Sequence, residues 1–460
     1  MNSSERFLSA DQCRDLLRRA ERLCTGGGYI TLTIRSEWRG TIRWARNQVI
    51  SAGDTTDHHI SIMRQVSGAA ARVTTNGIDD RSLQQSIGRA EHILTYDTIS
   101  PLGLAPRRAE RYLEPTLWSD HTFQVNAEMR GELQRKFVKP AIAGKLLSAG
   151  YLEIAAIGNG VVNNQGLFAY VPQTRAEYSV TVRNSKGTGA GWAGQEHLDW
   201  RKLDPDKLSA TALEKCVRSA DPVAVEPGRY TVILEPQAVA GLMYHLVESL
   251  ERIPPERGIG PWADRVTPPD PIVGGRARFG ERVLDSRITI QTDPLDPDAP
   301  FLPFGDREEP TRAVTWVKDG ILTNLSYPRV YALTRLNKED PMLNTFAFRM
   351  SGGDTSVEEM IASTARGLLI TRFVDVRQVR SLTFRDIVFC TGRTSDGLWL
   401  IERGKITKSV KNFRFREEVV SVFNNVIAMG PPTRVLMNNP TIVPPVMVRD
   451  FSLTSLSDGV

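Results

Sequence analysis

Hydrophobic positions recur with a helical period in some stretches and alternate in others. Ser9-Ala10-Asp11-Gln12 reads as a capping box opening a helix that runs to about Leu23, where three glycines end it. Residues 29–34, 40–50 and 59–75 have strand character, the last closed by Asn76-Gly77. Leu83, Ile87, Ala90 and Leu94 then form one stripe of a second helix starting near Asp80. Helix, strand meander and helix predict an α+β arrangement with helices on one face of an antiparallel sheet.

Residues 127–148 read as helical, with Pro140 expected to kink or split the helix. Strands are expected over 151–183, with turns at Gly158-Asn159-Gly160 and Asn164-Gln165-Gly166. The glycine-rich run 185–194 lacks the lysine and strand-to-helix setting of a phosphate cradle, so it reads as a hairpin and bulge. A helix over 204–219 precedes a linker at 221–228. The linker predicts two domains, an amino-terminal helix-and-antiparallel-sheet domain (1–225) and a β-rich carboxy-terminal domain (226–460).

The second domain starts with a strand, 230–234, and a helix over 236–253 opened by Pro236. Proline-rich stretches at 254–275 and 293–310 read as long covering loops. Asp319-Gly320 between apolar runs predicts a hairpin. Thr355 and Glu358 read as the capping box of the next helix, and strands are expected over 368–373, 382–391, 398–401 and 446–451. Residues 417–429 read as a helix with Val420, Phe423 and Ile427 on one face.

Composition narrows the class. The chain has 460 residues, 41% hydrophobic and 24% charged, which excludes fibrous and wholly disordered readings. Its four cysteines are scattered without a Cys-x-x-Cys pair, which argues against a disulfide framework or a cysteine-built zinc site. No run is long and apolar enough for a membrane span, and the amino end carries no secretory pattern, so a cytoplasmic location is expected. The 58 basic residues exceed the 53 acidic ones slightly, with no dense basic run and no aromatic-interleaved motif. A solvated basic surface is therefore preferred over nucleic-acid binding.

Candidate chemistry concentrates on the 236–253 helix. Val239, Leu242, Met243, Leu246 and Leu250 form its core stripe, while Tyr244, His245 and Glu248 lie on other faces. His245 and Glu248 are three apart and can meet. They read either as an acid/base couple or half a metal site, or as a solvated surface pair, and no further ligand nearby in sequence supports the former. His58-His59, adjacent on a strand, point to opposite faces and cannot easily share a metal.

Four stretches make the chain resemble the TldD/PmbA family, known as modulators of DNA gyrase and as TldD-TldE-type metallopeptidases. They are 230–250; 280–290 with Asp293-Pro294; Asn344-Thr345-Phe346 with 353–359; and 367–415, which includes Thr391-Gly392-Arg393-Thr394-Ser395-Asp396-Gly397 and Lys411-Asn412-Phe413-Arg414-Phe415. The resemblance implies a two-domain α+β protein pairing into a closed dimer. Zinc-bearing members carry His-Glu-x-x-x-His on the helix and a cysteine near the carboxyl end. Here Tyr244, His245 and Ser249 stand at the histidine, glutamate and second histidine positions, and 430–445 holds no cysteine. Cys390, in an apolar run, reads as a buried filler.

The resemblance therefore implies a zinc-free, TldE-like subunit, with no cofactor of its own. It would pair with a zinc-bearing relative in preference to itself and help enclose unfolded or extended peptide. One alternative is a metal-free hydrolase using His245 as base, Glu248 as its orienter and Tyr244 as acid. Another is a DNA- or gyrase-associated binding protein.

Overall fold

The structure, a computed structural model, describes residues 6–96, 104–108, 110–264, 275–380 and 388–457. Helix α1 (Ala10–Leu23) starts as read: Ser9 accepts from the Gln12 amide while the Gln12 side chain returns to the Ser9 amide. An antiparallel meander follows, β1 (Tyr29–Ala45), β2 (Gln48–Val66) and β3 (Ala69–Thr75), and then α2 (Asp80–Leu94). These strands are longer than expected and break elsewhere. The turns fall at Arg46-Asn47 and Ser67-Gly68, where all four residues have positive φ (49°, 66°, 50° and 86°). Two-residue hairpins need that backbone, and arginine and serine gave no sign of it.

Short α3 (Asp120–Phe123) and α4 (Ala127–Ala143) lead into β4 (Leu147–Asn163), β5 (Phe168–Arg183), β6 (Ala190–His197) and α5 (Pro205–Arg218). Pro140 lies inside α4, which stops at Ala143 because Gly144 and Lys145 (φ 54°) swing the chain into β4. The turn expected at Gly158-Asn159-Gly160 does not exist; β4 runs straight through it. A Cβ on Gly158 would sit 2.6 Å from the Leu8 carbonyl, so the glycine admits the crossing amino-terminal segment. The turn at 164–166 is present, between β4 and β5.

These strands form one antiparallel sheet, β3-β2-β1-β4-β5-β6. Ile30, Leu32, Ile34, Trp38, Ile42 and Trp44 alternate along β1 onto the helix-covered face. α1 and α2 cover one end (Leu16, Ala20, Leu83, Ile87), and α4 and α5 the other (Phe137, Ala212, Cys216). Trp44 stacks on Phe137 at 5.5 Å and donates to Ser148 Oγ at 2.7 Å.

The second half begins with β7 (Gly228–Leu234), α6 (Pro236–Glu248) and α7 (Ile253–Glu256). The helix expected over 236–253 thus ends five residues early. Leu250 and Arg252 are drawn into backbone bonds with Ser326, and Pro254-Pro255 prevents continuation. Then come β8 (Ile290–Thr292), β9 (Val314–Lys318), β10 (Ile321–Leu322), α8 (Arg329–Leu336), β11 (Phe348–Met350) and α9 (Val357–Ser363). The Asp319-Gly320 hairpin is present, and the α9 capping box falls one residue later than read, on Ser356 and Glu359.

Long strands β12 (Arg366–Arg380) and β13 (Val388–Glu402) follow, with β14 (Lys405–Ser409) and β15 (Phe413–Glu418). The 382–387 part of an expected strand lies outside the described residues. The helix expected over 417–429 reduces to α10 (Val419–Asn424), and β16 (Val426–Met429) takes the rest, where β-branched Val426 and Ile427 suit a strand. The chain finishes with β17 (Thr433–Val435), β18 (Thr441–Val443) and β19 (Val446–Leu456).

Two sheets result. One is β10-β9-β8-β11-β18-β17. In the other, β12-β7-β19-β15-β13 closes into a ring through β12–β13 pairing, with β14 outside it. Phe373, Phe415 and Phe451 cluster on the inner face at centroid distances of 4.5–5.7 Å. α6 packs on that face against Val232, Leu234, Leu368 and Ile370. No helix among the described residues is long and apolar enough to cross a membrane.

The halves are pinned together by buried polar contacts. Glu308, 3% exposed, accepts from Thr31 Oγ1 (2.7 Å), Asn163 Nδ2 (2.6 Å) and the Arg107 amide (2.6 Å). Glu196 on β6 pairs with Arg434 on β17 at 2.8 Å.

Candidate functional site

α6 forms because an apolar stripe faces the core while Pro236 sets its first turn. His245 Nδ1 lies 3.2 Å from Glu248 Oε2, so the pair expected from their spacing is made. Gln378 on β12 donates to the same carboxylate oxygen at 3.0 Å and to the His245 carbonyl at 3.3 Å. The His245 side chain is 12% exposed and that of Glu248 45%, so the pair sits at the rim of the core. Tyr244 packs against aromatic rings. Its ring stacks on Phe346 at 5.6 Å and meets the His245 ring edge-on at 5.3 Å. The structure therefore joins His245 to Glu248 by a polar contact and holds Tyr244 beside them by ring packing against Phe346 and His245.

Two loops wrap α6. Asn344 Nδ2 donates to the Val247 carbonyl at 2.6 Å, two residues before Phe346 reaches Tyr244. The loop after β17 docks on the first turn: Gln237 donates to the Leu436 carbonyl at 2.9 Å and accepts from its amide at 3.2 Å. Behind both loops lies a cavity of about 310 Å³ between the halves, lined by Arg35, Arg175, Glu196, Thr345, Arg434 and Asn438 among others. Thr345, between Asn344 and Phe346, connects this cavity to the helix.

A row of charge leads to the cavity, which Arg175, Glu196 and Arg434 of its members line. Glu153, Glu177 and Glu196 face one another directly on β4, β5 and β6. Arg175 bridges the first two at 2.9 and 2.8 Å, and Arg434 holds the third. Burial pushes the carboxyls of Glu177 and Glu196 above the usual range, their arginines opposing it. Sequence reading missed this row because its members come from three strands, and a lone glutamate on a strand carries no sign of its neighbours.

The inner face of the ring holds a second group. Gln378, Cys390 and Glu417 are consecutive cross-strand partners on β12, β13 and β15. Cys390 is fully buried and its thiol is pushed up to about 12 by burial, as befits a filler. Burial likewise lifts Glu417 to about 7, opposed by a hydrogen bond from the Ser452 amide. The two histidines on β2 stay apart: His58 Nδ1 lies 2.9 Å from Ser36 Oγ, and His59 is exposed.

The residues at the metal-ligand positions do not fit zinc. Tyr244 is stacked on Phe346, and the Ser249 hydroxyl donates to the Leu246 carbonyl and accepts from Trp262 Nε1 at 3.1 Å. Among the described residues no group of three or more histidines, cysteines or carboxylates is placed to hold a metal ion.

Residues 227–455 match the model of the PmbA/TldA metallopeptidase C-terminal domain. The fold is similar to that of TldE from Thermococcus kodakarensis, at 16% identity and a TM-score of 0.79, covering 96% of this chain and 100% of that one. It is also similar to a candidate modulator of a DNA gyrase from Thermotoga maritima (14% identity, TM-score 0.77, 96% and 99% covered). A corresponding protein from Bacteroides thetaiotaomicron gives 14% identity and a TM-score of 0.78, with 97% and 98% covered. Among curated proteins none matches significantly. The chain belongs to the TldD/PmbA family.

Proposed function

We propose that this chain is a zinc-free subunit that pairs with a zinc-bearing relative and supplies one wall of an enclosed peptide-processing chamber. The observation that supports it most is the fate of the ligand positions: Tyr244 and Ser249 are each built into a packing or hydrogen-bonding role on α6. The cavity behind the α6 loops, with its amides and charged side chains, gives the chain a polar wall for an extended peptide. Its contribution is binding and enclosure, and the bond-breaking step belongs to the partner. The test is purification from the native source with metal analysis. A zinc-containing relative in stoichiometric complex is the expected result; near-stoichiometric zinc held by this chain alone would overturn the reading.

A second reading rests on the 3.2 Å contact between His245 and Glu248. A carboxylate on Nδ1 leaves Nε2 as the basic nitrogen, the arrangement a general base needs. Metal-free hydrolysis would then depend on His245, and His245→Ala would abolish it. A purified variant with unchanged peptide hydrolysis removes this reading.

A further inference from the structure

We infer that the outer face of β12, β13 and β15 is a binding surface for single-stranded nucleic acid. Alternate residues of the three strands point away from α6. Arg377, Thr391 and Arg416 stand in one cross-strand row, and Arg393 faces Arg414 in the next. Four guanidinium groups thus share one face, around a shallow depression of about 880 Å³ that also takes in Thr391, Thr454 and Ser457.

The charge on this face is largely uncompensated. Arg393 pairs with Asp375 at 3.0 Å, the one acidic residue among the described ones that line the depression; Glu418, next along the same face, stands opposite Phe389 and accepts from Ser421 Oγ at 2.6 Å. Arg377, Arg414 and Arg416 are exposed, and none has an ion-pair partner among the described residues. Such a surface attracts a polyanion, and arginine binds phosphate in a planar, two-pronged fashion.

Two features select the polyanion. Both edges of β13 are already paired at this level, by β12 and by β15, so an acidic peptide cannot add as a strand among the arginines; the edge of β12 beyond Ile370, which has no strand on it among the described residues, lies to one side of them. A sugar–phosphate chain needs no free edge; it lies across a sheet face on cations and aromatic rings. Arg414 and Arg416, two residues apart on one strand, are separated by about 7 Å, a stride an extended single strand matches from one phosphate to the next. Phe389, on the same face, already carries the Arg416 guanidinium 4.6 Å from its ring centre and offers an aromatic surface beside it.

The sequence hid this surface because its arginines are spread from 377 to 416 with no basic run; strand pairing assembles them. It lies on the opposite side of the strands from Gln378 and Cys390, so it does not depend on the peptide reading.

The test is fluorescence anisotropy of a labelled oligothymidylate with the full chain across a salt series. Four phosphate contacts predict that log affinity falls with log salt at a slope of about −3. Arg414→Gln/Arg416→Gln, both exposed, should lower the magnitude of that slope by about 1.4 and weaken binding about tenfold at low salt, with the thermal unfolding curve unchanged. Arg377→Gln/Arg393→Gln should do the same. No binding at low salt, binding that neither double variant alters, or tighter binding of polyglutamate than of the oligonucleotide would each overturn the proposal.

Discussion

Arg434 closes on Glu196 with two nitrogens on one oxygen, Nε at 2.9 Å and Nη2 at 2.8 Å, across 238 positions of sequence. The carboxylate is 6% exposed and the guanidinium 11%, so neither has water to fall back on. This pair ties the first sheet to β17, the strand that leads into the loop docked on α6.

Removing one partner strands the other. Arg434→Leu should destabilise the protein by about 3 kcal/mol at neutral pH, measured by urea unfolding. Burial already raises the Glu196 carboxyl, and without Arg434 it rises further. Protonation then relieves the buried charge, so the loss should shrink as pH falls. A loss independent of pH would mean that Arg434 matters through packing alone.

Glu417 gives a second pH test. Its folded value of about 7 exceeds the ordinary glutamate value of 4.5. The folded state therefore holds the proton more tightly than the unfolded chain does. Stability from this group is complete below pH 4.5, declines from there as pH rises, and is gone above about 7. Glu417→Gln, which keeps an acceptor for the Ser452 amide, should stabilise the protein by about 2 kcal/mol at pH 8 and hardly at pH 4. Paired chemical-denaturation curves at the two pH values read this directly.

Gly191 marks where α5 approaches β6. A Cβ there would lie 2.2 Å from the Ala212 carbonyl and 2.5 Å from the Cys216 amide, both backbone atoms. Gly191→Ala should therefore force the helix outward and cost about 2 kcal/mol or more. Gly241→Ala, on an open face of α6, is the control and should be neutral or slightly stabilising. Thermal melts of the two variants separate crowding from chain entropy.

The cysteines should differ in reactivity. Burial lifts the thiols of Cys13 and Cys390 to about 12 and that of Cys216 to about 11, and all three are shut off from solvent. Only Cys24 is partly exposed. A thiol-reactive dye should label it first in native buffer, and all four should react in urea. Rapid labelling of Cys390 would show that the ring opens on that timescale.

What was legible in the chain was local. Ser9 with Gln12, and Leu83 with Ile87 and Ala90, announce helices because cap and stripe lie within a few residues of each other. The α+β layering followed from the same signals. Gly158 misled because glycine also serves close approach, and here it makes room for Leu8. The Arg46-Asn47 turn was invisible because its positive φ values carry no glycine signature. His245 and Glu248 were found from their spacing, whereas Gln378 joins them from 130 residues away. Phe346 on Tyr244 and the glutamate row across β4, β5 and β6 arise only when distant segments are brought together.

Cys390 and Arg393 belong to one strand and look in opposite directions, and the same division runs through Gln378 and Arg377, and through Glu417 and Arg416. Deleting a single residue from β13 would drag arginine inward and expose the thiol, so the length of this strand is under much tighter control than its composition. Substitution is the freer route of change. A lineage with this ring can rewrite one surface letter by letter while the reverse of the page stays intact.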